Sequence, residues 1–500
     1  MSERIALGAA TLPRLHDRSG LTVPGYDRAG VRPGIVHFGV GGFHRAHQAM
    51  YVDRLLGRDP DAAGWGIRGV GLRPADRAMR DALEPQDGLY TLTLKHADGA
   101  VETSVIGSLV DYLYAPDDPE AVLDALAHPD TRIVSLTITE GGYNFIQATG
   151  EFDATAPDVA ADLVPDAVPR TVFGYVVEAL RRRRDRGLAP FTVMSCDNIE
   201  GNGAMAHRTF LAFARLADPD LADWIDTNVR FPNSMVDRIT PATPPGLRAE
   251  VAGRTGVDDR WPVVAEPFTQ WVLEDDFASG RPAFESVGVQ VVPDVAPYEL
   301  MKLRLLNAGH QTLCYFGYLL GHRLVHDAAA DPDIRELLRR YMTDEGRPTL
   351  RPVPGVDLDR YVDTLLERFS NPAIADTVAR LCQDSSDRIP KWLLPVIRER
   401  LAAGGSASLA AAVVASWTRY AEGEDEQGQP IEVVDPRAAA LVPLARLSRT
   451  QPLAFVSDPE LFGDLARDEG FTRPYLAALE SLRTRGARAT LAELLAIDPA

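Results

Sequence analysis

Lys302, Asn307 and His310 place an amine, an amide and an imidazole in one short stretch, Lys-Leu-Arg-Leu-Leu-Asn-Ala-Gly-His. The stretch lies early in a segment, residues 297–321, that would be apolar nearly all round as a helix and so should be buried. Polar groups inside a buried helix must be hydrogen-bonded or used. At α-helical spacing the three fall within an arc of ~140° on one face. A base, an oxyanion donor and an orienting ring on one face are a kit for proton transfer without a metal. The plainer alternative is that Lys302 and Arg304 reach the surface along their aliphatic stems while Asn307 and His310 satisfy loop carbonyls.

A second cluster lies near the N-terminus. Gly39, Gly41 and Gly42, followed by Phe43, stand between an expected strand at 34–39 and an expected helix at 43–56. Glycines there let the backbone approach a pyrophosphate, and the helix start favours its charge. The pattern departs from GxGxxG because His44 stands at the third glycine position. Asp76 follows the next expected strand, 65–72, at the place where a carboxylate binds the ribose of NAD, though later than the usual spacing. Arg73 and Arg77 beside it leave NADP open. After the strand at 191–195, Asn198 can donate to a substrate oxygen, while Asp197 and Asn202 can simply build the turn. His37, His44 and His47 raise the question of a metal, but no carboxylate or cysteine completes a familiar ligand set and none is expected.

These residues need a frame to hold them. Strands at 34–39, 65–72, 132–139 and 191–195 alternate with helical segments, and alternating strands over 87–113 surround an Asp-Gly turn. From about residue 293 the chain turns to alanine- and leucine-rich segments of helical period, among them 334–342, 358–370, 373–382, 409–420 and 475–482. The expectation is an α/β protein: a Rossmann-type N-terminal domain with β insertions over 1–293 and an all-helical C-terminal domain over 294–500. The net charge of −19 disfavours nucleic acid and anionic membrane partners. No apolar run reaches the ~20 residues of a membrane span, and the first residues lack the apolar core of a signal peptide. Three widely spaced cysteines suggest neither a disulfide framework nor zinc, so a reducing cytoplasm is expected. No coiled-coil heptads are present, and a monomer is expected.

Several stretches together resemble the mannitol dehydrogenases, the polyol-specific long-chain dehydrogenases. They are GVGGFHRAHQ (39–48), QDGLYTL (86–92), TEGGYN (139–144), the DN and NG of 197–203, FPNSMVDRITP (231–241), EPFTQWVLED (266–275), KxxxxNxxH (302–310) and SSDRIPKWLLP (385–395). The resemblance runs in collinear order over about residues 30–400. It implies a Rossmann-type domain plus a helical domain that oxidises a polyol secondary alcohol with NAD and no metal. By that resemblance Lys302 is the general base, Asn198 and Asn307 hold the developing alkoxide, and His310 orients the substrate. Asp237, Arg388 and Lys391 would face the polyol hydroxyls, and Asp76 would favour NAD, although Ala75 stands where relatives often carry a second acid. The expected reaction is D-mannitol to D-fructose. Alternatives are D-arabinitol, D-sorbitol or a hexuronate such as fructuronate or tagaturonate, for whose carboxylate Arg388 and Lys391 would form a clamp. A nucleotide-binding protein without catalysis is the alternative from another class.

Overall fold

The apolar run near residue 35 becomes β1 (Pro33–Phe38), buried from Gly34 onward. Its side chains alternate between two cores, as a strand covered on both faces requires. Val36 and Phe38 enter one, and Ile35 enters the other with Trp271 and Val52. The computed structural model describes residues 4–146 and 150–496. The chain divides into two units, Met1–Ala296 and Pro297–Ala500.

In the first unit β1 is followed by α1 (Gly42–Ala46), α2 (Gln48–Arg58), β2 (Gly66–Gly71), β3 (Tyr90–Lys95), β4 (Val101–Ile106) and β5 (Leu109–Tyr114). Then come α3 (Pro119–Ala127), β6 (Ile133–Leu136), α4 (Val172–Asp185), β7 (Thr192–Ser195) and α5 (Asn202–Ala217). The central sheet has the order β5-β2-β1-β6-β7 and is parallel throughout. The order reverses between β1 and β6, and sheets of this kind bind ligands beyond their strand ends at such a reversal. The first unit is therefore the Rossmann-type domain expected from the sequence. Four later strands, β8 (Ser234–Asp237), β9 (Val263–Ala265), β10 (Gln270–Glu274) and β11 (Gln290–Val292), build the β insertions. β9 pairs with the β3–β4 hairpin, and β10 pairs with both β8 and β11. The hairpin turns at Asp98-Gly99, where Gly99 takes φ +88°. The helix expected over 43–56 is broken: His47 at φ −123°, ψ −92° separates α1 from α2.

The second unit is mainly helical. Among its described residues the β pairing is limited to isolated bridges, such as Leu324 with Thr377. The apolar segment gives α6 (Ala296–Met301), a π-helical turn π1 (Lys302–Asn307) and α7 (Ala308–Leu319). Further on lie α8 (Pro332–Arg340), a second π turn π2 (Tyr341–Gly346), α9 (Leu358–Phe369), α10 (Ser385–Trp392), α11 (Ser408–Ala421) and α12 (Glu469–Thr484). Helix α11 is the spine of the unit. Ala410, Ala411, Ala412 and Ala415 are fully buried and let α12 and α7 pack closely, and Trp417 meets Phe455 edge-on. The helix expected over 373–382 is a misreading. Only Val378–Leu381 is helical, because Asn371 closes a turn onto Ala373 and Thr377 caps a fresh start at Arg380.

Candidate active site

At the end of β1 the backbone swings into φ +92° at Gly39, and a Cβ there would lie 2.1 Å from the carbonyl oxygen of Thr137, just past β6. Only glycine fits this crossing at the sheet reversal. Gly41 differs. Its N–H donates to Gly39 O at 2.7 Å, and an added Cβ would meet nothing nearer than that oxygen at 3.8 Å. One glycine is demanded by the fold, and the other leaves bare backbone facing open space, the cradle that a pyrophosphate requires. Gly42 begins α1, and Phe43 stacks on His47 at 4.9 Å between ring centroids. These residues fit a dinucleotide.

His44 fills the third glycine position without blocking the loop, because its ring turns inward and stacks on His37 at 3.5 Å. His37 is held by Ser135 Oγ at 2.8 Å and Thr137 Oγ1 at 3.0 Å, and Ser135 donates onward to Gln48 at 3.0 Å. Burial pushes the His37 imidazole down to about 3. Burial, then the neighbouring His37, Arg45 and His47, hold His44 well below the usual histidine range. Both rings are neutral packing partners at ordinary pH. Among the described residues no three His, Cys, Asp or Glu side chains gather where they could hold a metal ion.

Asp76 sits over the end of β2. Its Oδ2 accepts from the N–H groups of Leu72 at 3.0 Å and Arg73 at 2.9 Å, and Arg73 lies 3.8 Å from Oδ1. The carboxylate therefore builds its own turn, directly after the second strand of the sheet. Arg77 is occupied by Asp117 at 3.1 Å.

Past β7, Asn198 is exposed and Asp197 is buried. Asp197 takes N–H groups from Ile138 at 3.1 Å and Thr139 at 2.8 Å, and the Tyr143 hydroxyl donates to it at 2.8 Å. Burial raises its pKa above the usual carboxylate range against these bonds. The network ties the loop after β6, where Thr139 has φ +63°, to the loop after β7 that carries Asn198. Nothing in the sequence pattern marked Tyr143 for this task beyond the Gly-Gly-Tyr turn around it. Asp237 closes β8, buried, opposite Gln270 of β10.

In the second unit Lys302, only 7% exposed, opens π1, and Asn307, at 4%, closes it. The widened turn is set by the Ala308 N–H bonding back to Leu303 O, one residue further than an α-helix allows. With nearly one extra residue per turn, positions i and i+5 come within about 50° of each other. Lys302, Asn307 and His310 then share an arc of about 60° rather than the ~140° of a regular helix. The His310 ring packs on Phe369 at 4.5 Å. Arg304, which the sequence left free to reach the surface, is buried, pairs with Glu399 and donates to Thr349 O at 2.6 Å.

Helix α10 packs against π1 and α7. It carries Arg388, whose guanidinium donates to Arg380 O at 3.3 Å and Leu381 O at 3.2 Å and lies 3.6 Å from Asp384. Lys391 is exposed and pairs with Asp387 at 2.7 Å.

Comparison with known proteins agrees with this anatomy. Residues 33–286 match the mannitol dehydrogenase Rossmann domain, and residues 294–483 match the mannitol dehydrogenase C-terminal domain. A mannitol 2-dehydrogenase of Phaeosphaeria nodorum is 50% identical over 483 residues, 96% of this chain and 84% of that protein. The solved ternary complex of Pseudomonas fluorescens mannitol 2-dehydrogenase with NAD and D-mannitol is 45% identical with a TM-score of 0.88, covering 99% of this chain and 100% of that one. A D-sorbitol dehydrogenase solved without substrate is 41% identical with a TM-score of 0.90, over 97% and 100% of the two chains. Motifs, sheet order and sequence identity agree along nearly the whole length: the chain belongs to the mannitol dehydrogenase family.

Proposed function

We propose that this chain is an NAD-dependent polyol dehydrogenase that interconverts D-mannitol and D-fructose. The observation that carries the reading is the buried lysine at the head of a π turn, with an amide and an imidazole gathered on the same face. Relatives of high identity are named for mannitol, and one is solved with NAD and D-mannitol. NAD, when bound, supplies the acceptor for the hydrogen leaving the carbinol carbon. Gly39, Gly41, Gly42 and Phe43 would seat it, with Asp76 on its ribose.

Each remaining role follows from the chemistry of this chain's own groups. The carbinol hydroxyl must lose its proton as its carbon is oxidised. An ordinary lysine, with a pKa near 10.4, is a poor base at neutral pH, but desolvation disfavours its ammonium form. Lys302 would take the proton, and in the reverse direction return it to the ketose oxygen. The amides of Asn307 and Asn198 would donate to the oxygen as charge develops, each worth roughly 3 kcal/mol. His310, braced by Phe369, would orient the substrate, and Asp237 would accept from a polyol hydroxyl. Arg388 and Lys391 are assigned to the same polyol. Their existing bonds to carbonyls and to Asp384 and Asp387 favour an uncharged polyol over a uronate needing a cationic clamp. A cytoplasmic monomer completes the reading. Its buried cysteines, Cys196, Cys314 and Cys382, are unbridged, and its exposed large apolar side chains are few and dispersed along the chain. None of its described helices is long and apolar enough to cross a membrane.

The test is NADH oxidation by the purified protein against D-fructose, with fructuronate, tagaturonate and xylulose in parallel and NADPH as a cofactor control. Fast turnover of D-fructose with NADH is expected, and preference for a uronate overturns the substrate. Lys302→Ala should lose most of kcat and regain part of it with added primary amines. Near-normal turnover in that variant overturns the base.

A further inference from the structure

The two π turns of the second unit lie against each other. π1 carries Lys302 and Asn307, and π2 (Tyr341–Gly346) packs on it from the end of α8. A π turn is a strained departure from the α-helix that persists when its surroundings hold it and is frequent at functional sites. The surroundings here can be named. Tyr341, fully buried, donates its hydroxyl to the carbonyl oxygen of Arg304, in the middle of π1, at 3.1 Å. Burial, and then the nearby Glu345, keep that phenol protonated and a donor across the ordinary pH range. Gly346 lets the turns approach, since a Cβ there would lie 3.0 Å from Leu305 Cδ2 and 3.4 Å from Arg304 O. π2 is widened in the same way as π1, with the Arg347 N–H bonding back to Met342 O. It is anchored in turn by Glu345, which accepts from Leu409 N and Ala410 N at 2.8 Å each at the start of α11.

We infer that Tyr341 is a positioning residue for the lysine turn: by holding the Arg304 carbonyl it keeps π1 wide, and so keeps Asn307 and His310 on the face that carries Lys302. Were π1 to relax to α geometry, Lys302 and Asn307 would swing apart from about 50° to ~140°. The base would then no longer share a face with the amide that serves the same oxygen. The inference rests on the reading of Lys302 as the base.

The test is steady-state kinetics of Tyr341→Phe in the full chain, which keeps the ring and removes only the donor. For D-fructose reduction kcat should fall about tenfold, the scale of one lost hydrogen bond, while KM for D-fructose and the Kd of NADH stay near wild type. Gly346→Ala, whose methyl would press on Leu305 and the Arg304 carbonyl, should show the same split. Tyr475→Phe is the control. It loses a comparable buried bond, Tyr475 to Thr418 at 3.0 Å, far from π1 in sequence and on other elements, and should leave kcat unchanged. An unchanged kcat in Tyr341→Phe, or a parallel fall of kcat, NADH affinity and melting temperature, overturns the inference. If Lys302→Ala keeps its turnover, the function reading fails and this inference fails with it. If Lys302→Ala is inactive and Tyr341→Phe is normal, this inference alone fails.

Discussion

Glu345 is a carboxylate with almost no water around it, 3% exposed, and it accepts from two backbone N–H groups at the start of α11. Those bonds favour the charged form, but desolvation outweighs them and pushes the carboxyl up to about 7 from an ordinary 4.5. Between those two values the folded protein holds a proton that the unfolded chain has released. Stability therefore falls as pH rises through that window, and the cost is complete above about 7. Glu345→Gln keeps an acceptor for the helix start and cannot ionise. Urea unfolding at about pH 5 and about pH 8 should show a smaller loss of stability between the two in the variant than in the wild type. An identical loss in both would mean that Glu345 stays charged throughout. His37 is the opposite case: burial holds its folded imidazole down to about 3 while the unfolded chain takes up the proton near 6.5, so its contribution to stability falls as pH drops through that window.

At the scale of elements the glycine loop separates two demands that one motif conceals. Gly39→Ala places a methyl 2.1 Å from Thr137 O at φ +92° and should destabilise the fold by at least ~1–3 kcal/mol, seen as a lowered melting temperature. Gly41→Ala meets no such wall and should melt like the wild type while weakening NADH about tenfold by fluorescence titration. Equal NADH affinity in Gly41→Ala would move the pyrophosphate elsewhere. The loop and its strand were legible from local pattern, because a buried parallel strand and a tight glycine turn are written in adjacent residues. The break at His47 was not, since its cause lies in partners distant in sequence, including Gln270 O at 3.0 Å from His47 Nε2. The lysine face was legible as to its residues but not its geometry. A period of 3.6 predicts an arc more than twice as wide, because the π turn depends on Tyr341 and Gly346, far along the chain. Residues 373–382 read as helix from their alanines and leucine, while Asn371 and Thr377, acting through side-chain bonds to the backbone, cut it short.

At the scale of the whole molecule, ligand and fold are linked. A cofactor that binds only the folded first unit stabilises it by mass action, about 2.7 kcal/mol at a hundredfold excess over its Kd. Thermal melts should rise with NADH accordingly, and less with NADPH at the same concentration, if Asp76 takes the ribose as proposed and so meets the additional phosphate. Equal shifts would take away Asp76 as the discriminator, with Arg73, exposed beside it, the first group to substitute. The second unit makes a different demand on its sequence. A π turn is an α-helix carrying one residue more than its length needs, so the span between Lys302 and Asn307 is a counted interval. Exchanging Leu303 or Leu306 for another apolar side chain preserves the count. Losing one position would close the turn into ordinary α geometry and leave His310 on the face that carries Lys302, whereas gaining one that the turn could not absorb would rotate all that follows, His310 included, by about 100° relative to Lys302. The tolerance of this stretch therefore runs one way: it can give up a residue and keep its face, but it cannot take in another without turning His310 away from Lys302.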